Sequence, residues 1–187
     1  MFALVPSEPD PRLRCVTAFH GHTSTIPPIT VRRLDAGDWG SVLRIYSEGI
    51  AGGPATFDTE TPTRSELDAR WLGGHRWVAE VDGTVAGWAA LSPVSSRRCF
   101  RGVAENSVYT DREFRGAGVG TALMRRLIDE ADFSGIWTLQ ASVLAVNTGS
   151  IALHHAVGYR TVGVRRRLAQ IDGVWHDSVL LERRRET

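Results

Sequence analysis

With 187 residues, the chain is long enough for one domain with a sizeable core. Its 22 lysines and arginines nearly cancel its 21 aspartates and glutamates, for a formal charge of +1, which argues against nucleic acid or an anionic membrane as the main partner. No apolar run approaches the roughly 20 residues that cross a bilayer, Cys15 and Cys99 form no metal or redox spacing, and "MFALVPSEPDPRLRC" reaches Glu8 and Asp10 before any secretory signal could form. A cytoplasmic protein with free thiols is expected.

Residues 1–28 hold five of the eight prolines and show no periodicity, so they read as an extended N-terminal arm ahead of a domain at 29–187. "ITVRRL", 29–34, opens that domain as a strand. In "AGDWGSVLRIYSEGI", Trp39, Val42, Leu43, Tyr46 and Ile50 recur at helical spacing, with Asp35 or Asp38 as the start signal. "AGGPATFDTETPT" is loop and "RSELDARWL" a second helix. Two alternating runs in "RWVAEVDGTVAGWAALSP" flank Asp82-Gly83, a hairpin signal. "SSRRCFRG" leads to a strand, "VAENSVYTD". A glycine-rich loop and a helix to about 132 follow, then the strand "IWTLQASVL". "NTGSIALHHAVG" opens a helix on Asn147 and closes it at Gly158. "YRTVGVRRRLAQ" and "VWHDSVLLER" are two last strands joined by Asp172-Gly173. The short "RRR" at 165–167 reads as a solvated strand face or a site for a phosphorylated cofactor. The order β-α-α-β-β-β-α-β-α-β-β predicts one α/β (α+β) domain, a mixed central sheet flanked by helices.

The stretch "DREFRGAGVGTALMRRLIDEA" carries the chemistry. Gly116, Gly118 and Gly120 fall within five residues just before a helix, where glycine lets a backbone approach a phosphate. A nucleoside-triphosphate loop needs a lysine and a Ser/Thr after its last glycine, but Thr121 and Ala122 follow, and no GK[ST] occurs anywhere. A dinucleotide fingerprint beginning at Gly116 needs a third glycine where Thr121 stands, and an acidic residue closing the next strand, which "IWTLQASVL" lacks. Coenzyme A remains. Unpartnered N–H groups at a helix start carry partial positive charge, and glycines admit a pyrophosphate to them. The side chain of Arg115 adds to that field.

Arg115-Gly116-Ala117-Gly118-Val119-Gly120 matches R/Q-x-x-G-x-G/A, after a strand and opening a helix. At these residues the chain resembles the GCN5-related N-acetyltransferases. With "VAENSVYTDREFRGAGVGTAL", "NTGSIALHHAVGY", the "ATFDTE" loop and the closing "WHD" in order over residues 29–183, it is most similar to their phosphinothricin and methionine-sulfoximine acetyltransferase branch. The resemblance implies acetyl-CoA as cofactor, held by the loop from Arg115 through Thr121, by the backbone of Val108, Tyr109 and Thr110 along the pantetheine arm, and by Asn147 and Ser150. Asn147 read alone is a helix N-cap. It also implies a small-molecule amine acceptor and a homodimer.

Amine acetylation needs a neutral amine, hence a base acting directly or through water. Glu105 sits mid-strand after Val103 and Ala104, where burial would raise its pKa toward a useful range. Burial statistics alone favour a glutamate on the strand's polar face; the resemblance reverses that order, because the family's proposed general base falls here. The branch also carries a histidine at His154, proposed to assist, although a lone helical histidine is more often structural and His155 adjoins it. His176 reads as structural or a pocket wall. The resemblance places the acceptor among Phe57, Ser95, Arg97, Phe100, Asn106 and Ser107, with Arg97 forked onto its carboxylate. Val94, Ser95, Phe100 and Gly102 depart from the branch, so the acceptor side is altered where the cofactor side is intact. Cys99 lacks an evident partner base for a covalent route, and no metal is needed because a thioester is already activated. Acetylation of a protein N-terminus or a polyamine, or a silent acyl-CoA-binding module, are the alternatives; the basic "SSRRCFRG" counts against a polyamine, and Glu105 against the silent module.

Overall fold

A computed structural model describes residues 28–53 and 55–185. Most of the expected arm, with Cys15, and the last two residues lie outside them. The strands are β1 (Ile29–Arg33), β2 (Arg76–Val81), β3 (Thr84–Pro93), β4 (Val103–Thr110), β5 (Thr138–Leu144), β6 (Arg160–Ile171) and β7 (Val174–Arg184). The helices are α1 (Trp39–Ala51), α2 (Arg64–Arg70), α3 (Val119–Phe133) and α4 (Thr148–Ala156). The strands form one mixed sheet in the order β1-β2-β3-β4-β5-β7-β6, so the expected element order and fold class hold. Asp82 and Gly83 both take positive φ, as the tight β2–β3 hairpin requires.

Period-two alternation sorts the core onto two faces. On β2, Trp77, Ala79 and Val81 pack with α3, whereas Val78 packs with α1 and α2. The inward stripe of α3, Leu123, Met124, Leu127 and Ala131, is fully buried. Each large member contributes about 1.5–3 kcal/mol, enough to hold this helix on the sheet despite its charged outer face. On the other face Trp39 stacks on Trp71, Trp71 packs on Trp88, and Trp88 stacks on Tyr109.

Two boundaries differ from the pattern reading. Helix α3 begins at Val119, so Gly120 lies inside it and not ahead of it, while Gly116 and Gly118 stay outside because they hold positive φ, which a right-handed helix cannot contain. Asp38 stands at the start of α1 without capping it. Its carboxylate instead takes both terminal nitrogens of Arg32, at 2.7 and 2.8 Å, and that hydrogen bonding holds its pKa below the usual carboxylate range.

Candidate active site

Strand β4 is antiparallel to β3 from Ala104 to Thr110, but parallel to β5 only over Val103–Glu105, opposite Thr138–Gln140. Beyond Glu105 the two parallel strands part. From Asn106 on, β4 pairs among the described residues only on its β3 side. The split matters because backbone groups along that edge face a space a ligand can enter.

One cavity, of about 490 Å³, occupies the wide end of the split. Its volume falls within the roughly 300–1,000 Å³ range of small-molecule sites. Val108, Tyr109 and Thr110 line one side, Arg115, Gly116, Gly118, Val119, Gly120 and Thr121 the end, and Asn147 and Ser150 the other side. Of the twelve residues the sequence reading assigned to the cofactor, Ala117 alone is missing from that lining. The alternating positive φ of Gly116 and Gly118 turns the backbone into the first turn of α3, and such turns gather N–H groups into an anion-binding concavity. The approach is close. A Cβ on Gly120 would stand 3.0 Å from Cδ2 of Leu153 on α4. Asn147 caps α4, its Oδ1 accepting from the Ser150 N–H at 3.0 Å.

A second cavity, of about 210 Å³, adjoins the first and shares Ala55, Val108, Tyr109 and Ser150 with it. Glu105, Asn106, Ser107, Phe57 and His154 all line it. Glu105 is half-buried at the apex of the split, its Oε2 accepting from Gln140 Nε2 at 3.1 Å. Tyr46 and Tyr109 stack with centroids 4.8 Å apart and form the aromatic wall. Burial pushes both hydroxyls' pKa values up, so they stay protonated donors.

Behind the apex lies a buried chain of hydrogen bonds. His154 is 2% exposed. Its Nδ1 is 2.7 Å from the Ser150 carbonyl oxygen, an acceptor only, so Nδ1 carries the proton. Nε2 then accepts from Asn106 Nδ2 at 2.9 Å, and Asn106 Oδ1 accepts from the Tyr159 hydroxyl at 2.8 Å. Both ring nitrogens are thus engaged within the protein, and the ring is stacked edge-on against Tyr159. Desolvation lowers the His154 pKa, so the fold favours the neutral ring. The stability this contributes is complete above the ordinary histidine value of about 6.5 and declines as pH falls below it, because the unfolded chain takes up the proton first. Melting temperature should therefore drop between pH 7.5 and 5. His154→Gln should flatten the drop without abolishing it, since burial also depresses His75. An unchanged slope in the variant would show that His154 does not contribute.

The structure does not bring Ser95, Arg97 or Phe100 to either cavity. They lie in the β3–β4 connection, where the Arg97 N–H donates to Ser95 Oγ at 3.2 Å and Phe100 is 41% exposed. Cys99 is exposed in the same connection. His176 lines neither cavity. Conversely, Tyr46, Asp58 and Arg70 line the second cavity and no motif singled them out. Tyr46 has the spacing of a core residue, and Asp58 stands inside the "ATFDTE" loop, so loop membership was the one available signal.

A family model described as the acetyltransferase (GNAT) family matches residues 43–159. The phosphinothricin N-acetyltransferase of Streptomyces viridochromogenes is 31% identical over 154 residues, 80% of this chain and 84% of that protein. The L-methionine sulfoximine/L-methionine sulfone acetyltransferase of Salmonella typhimurium is 31% identical over 159 residues, 82% of this chain and 93% of that protein. The crystal structure of a GNAT superfamily phosphinothricin acetyltransferase from Sinorhizobium meliloti in complex with acetyl-CoA aligns with a TM-score of 0.77 at 30% identity, covering 83% of this chain and 88% of that one.

Proposed function

The chain belongs to the acetyltransferase (GNAT) family and is an acetyl-CoA-dependent N-acetyltransferase; from that premise we propose that it acetylates the α-amino group of a small amino acid or analogue of the phosphinothricin, methionine sulfoximine or methionine sulfone type. The observation that carries this is the pair of adjoining cavities along β4. The larger ends in the glycine loop at the start of α3, and the smaller ends at Glu105.

The residues present suit the cofactor. Gly116 and Gly118 shape a backbone cradle, Arg115 adds positive charge at its rim, and the unpaired side of β4 from Val108 to Thr110 offers backbone groups to the pantetheine amides. When bound, acetyl-CoA supplies a thioester already activated toward a neutral amine. The protein has to orient the amine and remove its proton. Glu105 receives that proton, directly or through water, while Gln140 fixes the carboxylate's orientation. Tyr46, Phe57 and Tyr109 restrict water at the acceptor. Among the described residues, no cysteine lines either cavity, in keeping with direct attack in a ternary complex.

The active form is a cytoplasmic homodimer in this reading. Val162, Val164, Leu168, Val174 and Trp175 are exposed apolar side chains gathered on the β6–β7 hairpin, a surface suited to a second copy. The free, exposed Cys99 fits a reducing compartment.

A thermal-shift comparison tests the cofactor side. Coenzyme A at 100 times its dissociation constant should stabilise by about 2.7 kcal/mol, whereas NAD and ATP should leave the transition in place. Turnover with acetyl-CoA and an amine panel tests the acceptor side. Methionine sulfone, methionine sulfoximine and phosphinothricin should be acetylated ahead of polyamines and an N-terminal peptide; preference for either of the latter would overturn the substrate assignment. Sedimentation of the same sample tests the dimer, and a monomer at working concentration would remove it.

A further inference from the structure

A zwitterionic acceptor needs a cation for its carboxylate as well as a base for its amine. Among the described residues lining the second cavity, Arg70 is the one cation, since burial favours the neutral form of His154. Arg70 is the last residue of α2. The next residue, Trp71, is buried between Trp39 and Trp88, which fixes the Arg70 backbone at the cavity rim while leaving its side chain in solvent.

Arg70 is only loosely held. Its Nη1 reaches Asp58 Oδ2 at 3.5 Å, with the side chains 47% and 37% exposed. The same carboxylate oxygen already accepts the Tyr46 hydroxyl at 2.5 Å. An exposed single contact of that length contributes little, whereas a guanidinium and a carboxylate meeting fork to fork make two parallel charge-assisted bonds. An arriving carboxylate should displace Asp58 from Arg70. Asp58, still anchored by Tyr46, then presents uncompensated negative charge on the cavity wall that also carries Glu105.

We propose that Arg70 is the specificity-determining residue for the acceptor's carboxylate, and that it exchanges Asp58 for that carboxylate when the acceptor binds, leaving Asp58 to attract the acceptor's ammonium toward Glu105. This rests on the amino-acid acetyltransferase reading above. The acceptor class it selects is a free α-amino acid or close analogue; amides, esters and decarboxylated amines are excluded. Arg165, whose Nη2 donates to Ser142 Oγ at 2.6 Å beside the cavity, is already committed to hydroxyls. Arg97 lines neither cavity.

The test is steady-state acetylation of methionine sulfone and of methionine sulfone carboxamide by the wild type, Arg70→Ala, Arg70→Lys, Arg97→Ala and Arg165→Ala, with coenzyme A affinity measured on each as a check of folding. The wild type should prefer the acid. Arg70→Ala should raise the acid's KM roughly 10- to 100-fold while leaving the amide's KM and the coenzyme affinity in place. Arg70→Lys should recover part of the loss, because lysine cannot make the forked contact. Arg70→Ala retaining the wild-type preference, or Arg97→Ala or Arg165→Ala abolishing it instead, would overturn the assignment while leaving the acetyltransferase reading intact. A wild type that takes acid and amide equally would overturn the assignment too. A wild type that acetylates neither would overturn both.

Discussion

Glu105→Gln should lower kcat by roughly 10²–10⁴-fold at neutral pH, the usual contribution of a positioned general base. The substitution is nearly isosteric. The Gln140 Nε2–H that now donates to Glu105 Oε2 can donate equally to a glutamine carbonyl oxygen, so the apex of the β4–β5 split should keep its shape. What disappears is proton acceptance. Coenzyme A affinity should hardly move, because the glycine loop lies at the other end of β4, past Thr110. The defect should shrink as pH rises toward the acceptor's own pKa, where free amine becomes abundant and needs no base. Rate–pH profiles of variant and wild type check this. Wild-type turnover by Glu105→Gln at neutral pH would refute the role. A defect constant across pH would point to a structural effect of the side chain.

Gly118→Val should raise the acetyl-CoA dissociation constant by roughly 10- to 100-fold for each charge-assisted amide contact it removes. The cause is backbone conformation and not crowding. A Cβ at this position would meet Ile29 Cδ1 at 3.7 Å, an ordinary contact, but Gly118 has φ +90°. A β-branched residue is a genuine outlier there, and strain of about 1–3 kcal/mol is more cheaply relieved by turning the peptide than by unfolding α3. The helix is held by Leu123, Met124 and Leu127, all fully buried. Turning the peptide would swing the amides at the helix start away from the cradle. Gly120→Ala is the contrasting variant. Its Cβ would meet the flexible end of Leu153 at 3.0 Å, which can give, so its effect should be much smaller. Calorimetric titration on variants with native circular dichroism decides. Equal affinities in Gly118→Val and wild type would remove the loop from the cofactor site.

Features written in local chemistry were legible in the chain itself. Asp82-Gly83 and Asp172-Gly173 turn where they stand because both residues of each pair accept positive φ. Gly116 and Gly118 mark the approach to α3 for the same reason, and Asn147 caps α4 because its side chain reaches an N–H three residues on. Alternation and helical spacing placed the seven strands and four α-helices of the described residues, since each period marks a face turned toward the core. The residues expected at the cofactor follow one another along β4, the loop and two helix starts, so the fold gathers all of them but Ala117 around one cavity.

The lining of the second cavity was not legible in that way. His154 and His155 are adjacent, and only docking of α4 decides between them: His154 turns inward to Asn106 and Ser150, while His155 turns outward to Thr161. The choice among arginines is likewise tertiary. Arg97 sits in the β3–β4 connection, yet no residue of that connection lines either cavity. Arg70 has no motif and reaches the rim because Trp71 anchors the end of α2 in the aromatic stack. The split between β4 and β5 that creates the site arises where parallel pairing stops after Glu105, between strands separated by the whole of α3. The sequence by itself therefore determined the element order, the turns and the glycine loop before α3, all set by interactions between residues close along the chain. Tertiary structure alone decided which charges share the second cavity, because elements distant in sequence supply them and only the packing of helices on the split sheet brings them together.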